Sequence, residues 1–233
     1  MMGTRGWGKG QGGFWRRWTA SPLPPERQAP QAAPPDDGSE ALRAGRYRDA
    51  ERLMVASVGR AERHGAGSPE LAGALARLAD LYRIRTRYDE AEALYLRAIA
   101  LDRSRATDDD TSLARALNNL ALIYRAQGFY DRAEPLCRQA LALAEQARGG
   151  EHPLTAAAVE NLLALYLAQR RYRDAAPLFR RALAIKEHLL GPTHPELASS
   201  LVNYAAFLRT TCSEEEAAQC EARARAIRGE TRE

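Results

Sequence analysis

Tyr82, Tyr124 and Tyr166 stand 42 residues apart, and the same step links Ala91, Ala133, Ala175 and Ala217 and again Ala98, Ala140, Ala182 and Ala224. A fixed period of this size is the mark of stacked structural units, each of which buries its apolar face only against its neighbours. It constrains the fold more tightly than length does, because the usual rule of one domain per 100–200 residues does not apply to such arrays.

Each period holds two helical patterns. Leu113, Ala114, Leu117, Leu120, Ala121 and Tyr124 recur at the spacing of one face of an α-helix. After a turn at Gly128, Ala133, Leu136, Cys137, Ala140, Leu141 and Ala144 form a matching face on a second helix. Two helices joined by so short a turn are antiparallel neighbours. The small alanines at 121, 133 and 140 let the two backbones approach closely. The expected fold class is therefore all-α, a solenoid of antiparallel helix hairpins.

The expected organisation is a degenerate first repeat over residues 39–67, repeats over 68–109, 110–151 and 152–193, and a last repeat with its capping helix over 194–233. Ser39 is expected to cap a short helix stopped by Gly45, and a longer helix spans Tyr47 to His64. The first helices of the later units begin near Pro69, Thr111, Pro153 and Pro195, where a proline's missing N–H has no partner to lose. Ser68 and Asp110 are good caps. His152 and His194 are poorer ones, and Thr193 with Glu196 offers a capping box instead. Pro135 and Pro177 predict a frayed or slightly bent start to their helices. Of the equivalent turn residues Thr86, Gly128, Arg170 and Cys212, only Gly128 takes a left-handed conformation without cost, so the other three need another geometry or strain. In the last unit Glu221 stands where Tyr95, Cys137 and Phe179 stand earlier, which predicts a wet outer face.

Residues 1–38 follow neither period. Gly crowds the first half, Pro the second, and such a composition cannot offset the entropy of ordering, so a disordered N-terminal tail is expected. All three tryptophans lie there, and Phe14-Trp15-Arg16-Arg17-Trp18 is the one stretch suited to a membrane interface or a nucleic-acid strand. Elsewhere the net charge of +4 is small and mixed in sign, which reads as a solvated surface. Three cysteines do not make a disulfide framework and fit a reduced, cytoplasmic setting. No apolar run is long enough to span a bilayer.

The middle unit reads Leu117-x2-Leu120-Ala121-x2-Tyr124, then Ala133-x3-Cys137, then Ala140; the next reads Val159-x2-Leu162-Leu163-x2-Tyr166, then Ala175-x3-Phe179, then Ala182. This resembles the tetratricopeptide repeat, with its Trp and Gly replaced and its usual period of about 34 lengthened. The longer period, with Leu117-Asn118-Asn119-Leu120-Ala121, Gly191-Pro192-Thr193-His194-Pro195 and Ala182-Leu183-Ala184-Ile185, is similar to the repeats of kinesin light chains and their bacterial relatives. The resemblance covers residues 46–228. It implies a right-handed superhelical, tetratricopeptide-like solenoid whose first helices line a concave groove. Arg77, Asn119, Asn161 and Asn203, again 42 apart, are the residues expected to face it. Asn offers both a donor and an acceptor to an extended peptide backbone. Arg115 lies one turn earlier on the same face and with Arg77 can pair with a carboxylate, while Leu122 and Ala164 add apolar floor.

Function is expected to be non-catalytic: a protein-interaction scaffold that holds a peptide segment, acidic in at least one residue, in the groove. The sequence holds no GxSxG, P-loop or HExxH motif and no paired Cys ligands, so no cofactor, metal or small-molecule substrate is expected. The alternative is a homo-oligomerising adaptor that pairs through a terminal repeat face. Nucleic-acid or membrane contact is expected only through the N-terminal tail.

Overall fold

The computed structural model describes residues 37–65, 68–105 and 110–229. The expectation for residues 1–36 lies outside them. The described residues fall into two compact units, 37–149 and 150–229. Both consist of α-helices, with no strand among the described residues.

The first unit holds α1 (Ser39–Arg43), α2 (Tyr47–His64), α3 (Pro69–Ile84), α4 (Tyr88–Ser104), α5 (Thr111–Gln127) and α6 (Tyr130–Arg148). α3 packs on α4 and α5 on α6 as hairpins. α2 packs on α3, α4 on α5, and the two hairpins also meet through α3 and α5. Leu71, Leu75, Leu117, Leu120 and Ile123 are wholly buried, each contributing about 1.5–3 kcal/mol of hydrophobic stabilisation. Ala91, Ala133 and Ala140, at 0–1% exposure, leave no room for a larger side chain between the paired helices. Cys137 belongs to this core, and burial pushes its thiol up to about 12.

The second unit holds α7 (Pro153–Ala168), α8 (Tyr172–Leu190), α9 (Pro195–Thr210) and α10 (Glu214–Arg228). α7 pairs with α8, α9 with α10, and α8 packs on α9. Phe179 of α8 lies against Phe207 and Tyr204 of α9, with ring centroids 5.0 and 5.1 Å apart, within the favourable range for aromatic pairs. Glu221 departs from this core as expected: its side chain is 29% exposed and accepts from Arg209 Nη1 at 2.5 Å.

Local expectations at the helix starts are revised. Gly38 is the residue before α1, and its φ of 85° suits glycine. A Cβ there would sit 2.8 Å from the Ala50 carbonyl oxygen, so only glycine lets this strand of chain lie on α2. Ser39 does not cap; its N–H instead donates to Asp37 Oδ1 at 3.0 Å. At the later helix starts, Ser68 Oγ accepts from Leu71 N–H, but Asp110 makes no side-chain cap, whereas His152 and His194 do. Their Nδ1 atoms accept from Leu154 N–H at 3.1 Å and Glu196 N–H at 3.2 Å. The histidine backbones are extended, with ψ of 150° and 137°, and aim the ring back at the first turn; Asp110 has ψ of 14° and does not. No Thr193–Glu196 box is needed.

The turns are settled as well. Thr86, Arg170 and Cys212 share the left-handed conformation of Gly128, with φ of 59°, 58°, 62° and 83°. In each, the next residue's N–H reaches five residues back: Arg87 to Tyr82, Phe129 to Tyr124, Arg171 to Tyr166 and Ser213 to Leu208. This is the Schellman closure. All four turns therefore use one geometry, and three of them carry strain. α6 and α8 run unbroken through Pro135 and Pro177, with three-residue bonds from Arg132 to Phe129 and from Asp174 to Arg171 tightening their first turns.

Candidate functional site

The two 42-residue neighbours Arg77 and Asn119 are brought together in the first unit. α3 and α5 pack on one another and present residues of successive turns to a shared surface. An open hollow of about 360 Å³ forms there, lined by Gly73, Arg77 and Asp80 of α3, Thr111, Ser112, Arg115 and Asn119 of α5, and Arg148 at the end of α6. Three arginines from three helices thus line one depression. Arg77 Nε lies 3.2 Å from Asp37 Oδ2, and Arg148 Nε donates to Thr111 Oγ1 at 3.1 Å.

The floor of the hollow is a carboxylate. Asp80 Oδ1 accepts from Tyr95 Oη at 2.5 Å and from Asn119 Nδ2 at 2.9 Å. Arg83 Nη2 stands 3.6 Å away, and the Asp80 side chain is 30% exposed. Desolvation holds its carboxyl above the usual carboxylate range, against the pull of the Tyr95 hydrogen bond and of the Arg83 and Arg115 charges. Tyr95 is wholly buried on α4, and its hydroxyl bonds α4 to Asp80 of α3 within the hairpin. Burial and the Asp80 charge push its phenol well up.

Leu122 is half-buried on α5, four residues beyond Asn118. In the second unit Ala164 and Asn203 are half-buried, whereas Asn161 is only 8% exposed.

The expected set omitted Asp80, Tyr95 and Arg148. A signal for Asp80 did exist. It stands one period before Leu122 and two before Ala164, so the position read as apolar floor in later units is acidic in this one. Tyr95 likewise stands one period before Cys137 and two before Phe179, neither of which carries a hydroxyl. Arg148 has no such signal. Among the described residues no group of three or more His, Cys, Asp or Glu side chains is arranged to hold a metal ion, and no helix is long and apolar enough to cross a membrane.

Hairpins repeated at 42 residues, with an outward hollow lined by polar side chains of successive first helices, define an all-α repeat protein of the interaction-scaffold class. Tetratricopeptide repeat models match residues 74–108 and 112–188, and the chain is a tetratricopeptide-repeat protein whose repeats resemble those of kinesin light chains. Among solved structures, BtubC (BKLC) from P. vanneervenii is 25% identical, with 82% of this chain covering 77% of that one at a TM-score of 0.71. A putative kinesin light chain from Podosopora anserina with nearly identical TPR-like repeats is 23% identical, covering 82% of this chain and 91% of that one, TM-score 0.69. A Rap protein complexed with Competence and Sporulation Factor shares the fold at 15% identity, covering 83% of this chain and 52% of that one, TM-score 0.64. No curated protein sequence matches this chain.

Proposed function

We propose that this repeat scaffold binds a peptide segment of a partner protein, with at least one acidic residue, along the exposed faces of its first helices. The observation that carries the reading is the convergence of Arg77, Arg115 and Arg148 with Asn119 on one hollow. A guanidinium pairs with a carboxylate through charge-assisted hydrogen bonds of roughly 1.5–3 kcal/mol each. Arg77 is paired with Asp37, so a ligand's acid would compete with that carboxylate for the guanidinium. In the second unit Asn203 and Ala164 are half-buried and could extend the peptide-binding face, whereas Asn161, at 8% exposure, is nearly enclosed. The Rap protein complexed with Competence and Sporulation Factor supplies a precedent for the fold holding another molecule. We read the protein as non-catalytic and, from its three free cysteines, as cytoplasmic.

The test uses the full chain and two fluorescein-labelled peptides, one alternating Glu and Leu, the other Gln and Leu. The acidic peptide is expected to bind more tightly, and Arg77→Ala with Arg115→Ala is expected to weaken it about tenfold or more without moving the thermal melt. Equal affinity of both peptides, or an unchanged affinity in the double variant, refutes the reading.

A further inference from the structure

We propose that Asp80 is the specificity-determining positioning residue of the hollow: it engages the amide NH2 of Asn119 and so fixes which way that amide faces, presenting its carbonyl oxygen, an acceptor, to the backbone N–H of a ligand. The proposal rests on the peptide-binding reading of the same site.

An isolated asparagine on a groove wall is ambiguous. Its side chain offers an NH2 and a carbonyl oxygen, and rotation about the last bond exchanges them. Here the exchange is blocked. An ionised carboxylate can only accept, so opposite it the atom of Asn119 that lies 2.9 Å from Asp80 Oδ1 is the NH2. Among the described residues no donor meets Asn119 Oδ1. That oxygen is the acceptor which the fixed amide presents to a ligand, and it calls for an N–H.

Asp80 is itself held. Tyr95 Oη donates to the same oxygen at 2.5 Å, and the Tyr95 ring is fixed by complete burial. The order is therefore Tyr95 of α4, Asp80 of α3, Asn119 of α5: three helices, one fixed amide. Rotating the Asn119 amide would set its oxygen against the Asp80 carboxylate, two acceptors facing each other with no proton between them. The cost of leaving such a pair unsatisfied exceeds the net worth of one hydrogen bond.

The neighbouring period lacks the device. Leu122 stands where Asp80 stands and Cys137 where Tyr95 stands, so no hydroxyl or carboxylate occurs at either position to fix Asn161 in the same way. The hollow of the first unit thus differs in kind from what the next period can build. It joins an oriented acceptor, for a peptide N–H, to the guanidiniums of Arg77 and Arg115, for an acidic side chain. An extended acidic segment with a free backbone N–H beside its carboxylate is the ligand that satisfies both.

The experiment compares the full-length wild type with Asp80→Leu and with the double variant Asp80→Leu/Tyr95→Phe, which removes both members of the buried pair and leaves no orphaned hydroxyl. Side-chain amide resonances of Asn119 are recorded in 15N-labelled protein. Affinities are measured for the Glu-Leu peptide and for the same peptide N-methylated at each leucine nitrogen. The wild type is expected to discriminate against the methylated peptide roughly tenfold. In the double variant the Asn119 NH2 resonances are expected to move, and the discrimination is expected to fall to about twofold or less. A role for Asp80 in stability alone would leave that ratio unchanged. Asn119 resonances that stay in place overturn the proposal, as does discrimination that persists in the double variant. Failure of the wild type to bind the Glu-Leu peptide at all overturns the peptide-binding reading and this proposal with it. That outcome is told apart because it appears in the wild type, before any comparison between variants.

Discussion

Lys186 Nζ lies 2.8 Å from Glu160 Oε1, with the two side chains only 3% and 10% exposed, so α7 and α8 are joined by a buried charge pair rather than by apolar contact alone. Ser200 Oγ of α9 stands 3.5 Å from the same nitrogen. Burial raises the Glu160 carboxyl above its usual range, and Lys186 pulls it back down. Such a pair is worth little against a well-packed apolar replacement, but it is costly to break on one side. Lys186→Met is expected to destabilise the protein by about 3–5 kcal/mol. Lys186→Met/Glu160→Leu is expected to recover much of the loss. Urea unfolding midpoints of the two variants check this, and a double variant no more stable than Lys186→Met would remove the pair from the account.

The strained turns predict a gain. A non-glycine residue in the left-handed region costs about 1–2 kcal/mol, and Thr86, at φ of 59°, is β-branched as well. Thr86→Gly is expected to raise stability by about 1 kcal/mol, reduced by the extra freedom of glycine in the unfolded chain. Gly128→Ala, at φ of 83° in the equivalent turn, is expected to lower it by a similar amount. Thermal melts of both variants measure the two effects.

Successive hairpins of the first unit are fastened by a tyrosine on a glutamate. Tyr124 Oη of α5 donates to Glu92 Oε1 of α4 at 2.7 Å, and Arg132 stands over the Tyr124 ring. Burial, the hydrogen bond to Glu92 and the charge of that glutamate push the phenol up to about 12. A folded pKa above the usual value of 10 means that the bond stabilises the protein fully below pH 10 and that this contribution is lost as pH rises toward 12. Tyr124→Phe is expected to cost about 1 kcal/mol at neutral pH and progressively less above pH 10. The difference in urea midpoint between wild type and variant, followed from pH 8 upward, checks the sign.

The helices were legible because their apolar positions repeat. Tyr47 to His64, and the starts at Pro69, Thr111, Pro153 and Pro195, follow from periodicity and proline chemistry alone, and the structure places them at those residues. Cap identity was less legible, since it depends on one backbone angle: Asp110 has the better capping side chain and the wrong ψ, while His152 and His194 have the right one. That Arg77, Arg115 and Asn119 share one surface was readable from their place on successive helices. The link from Tyr95 through Asp80 to Asn119 was not, because it joins three helices and depends on how far a buried hydroxyl reaches. Asn161 shows the converse. Its phase matches Asn119, yet it is almost wholly buried, because α7 is apolar around most of its circumference and is enclosed where α5 is open.

Amide hydrogen exchange of the full chain, with and without the Glu-Leu peptide, tests the central claim most directly. The account predicts that added protection concentrates in residues 73–80 of α3 and 111–122 of α5, around Arg77, Asp80, Arg115 and Asn119. Protection confined to the second helices, or bound peptide with no added protection in α3 and α5, would contradict it.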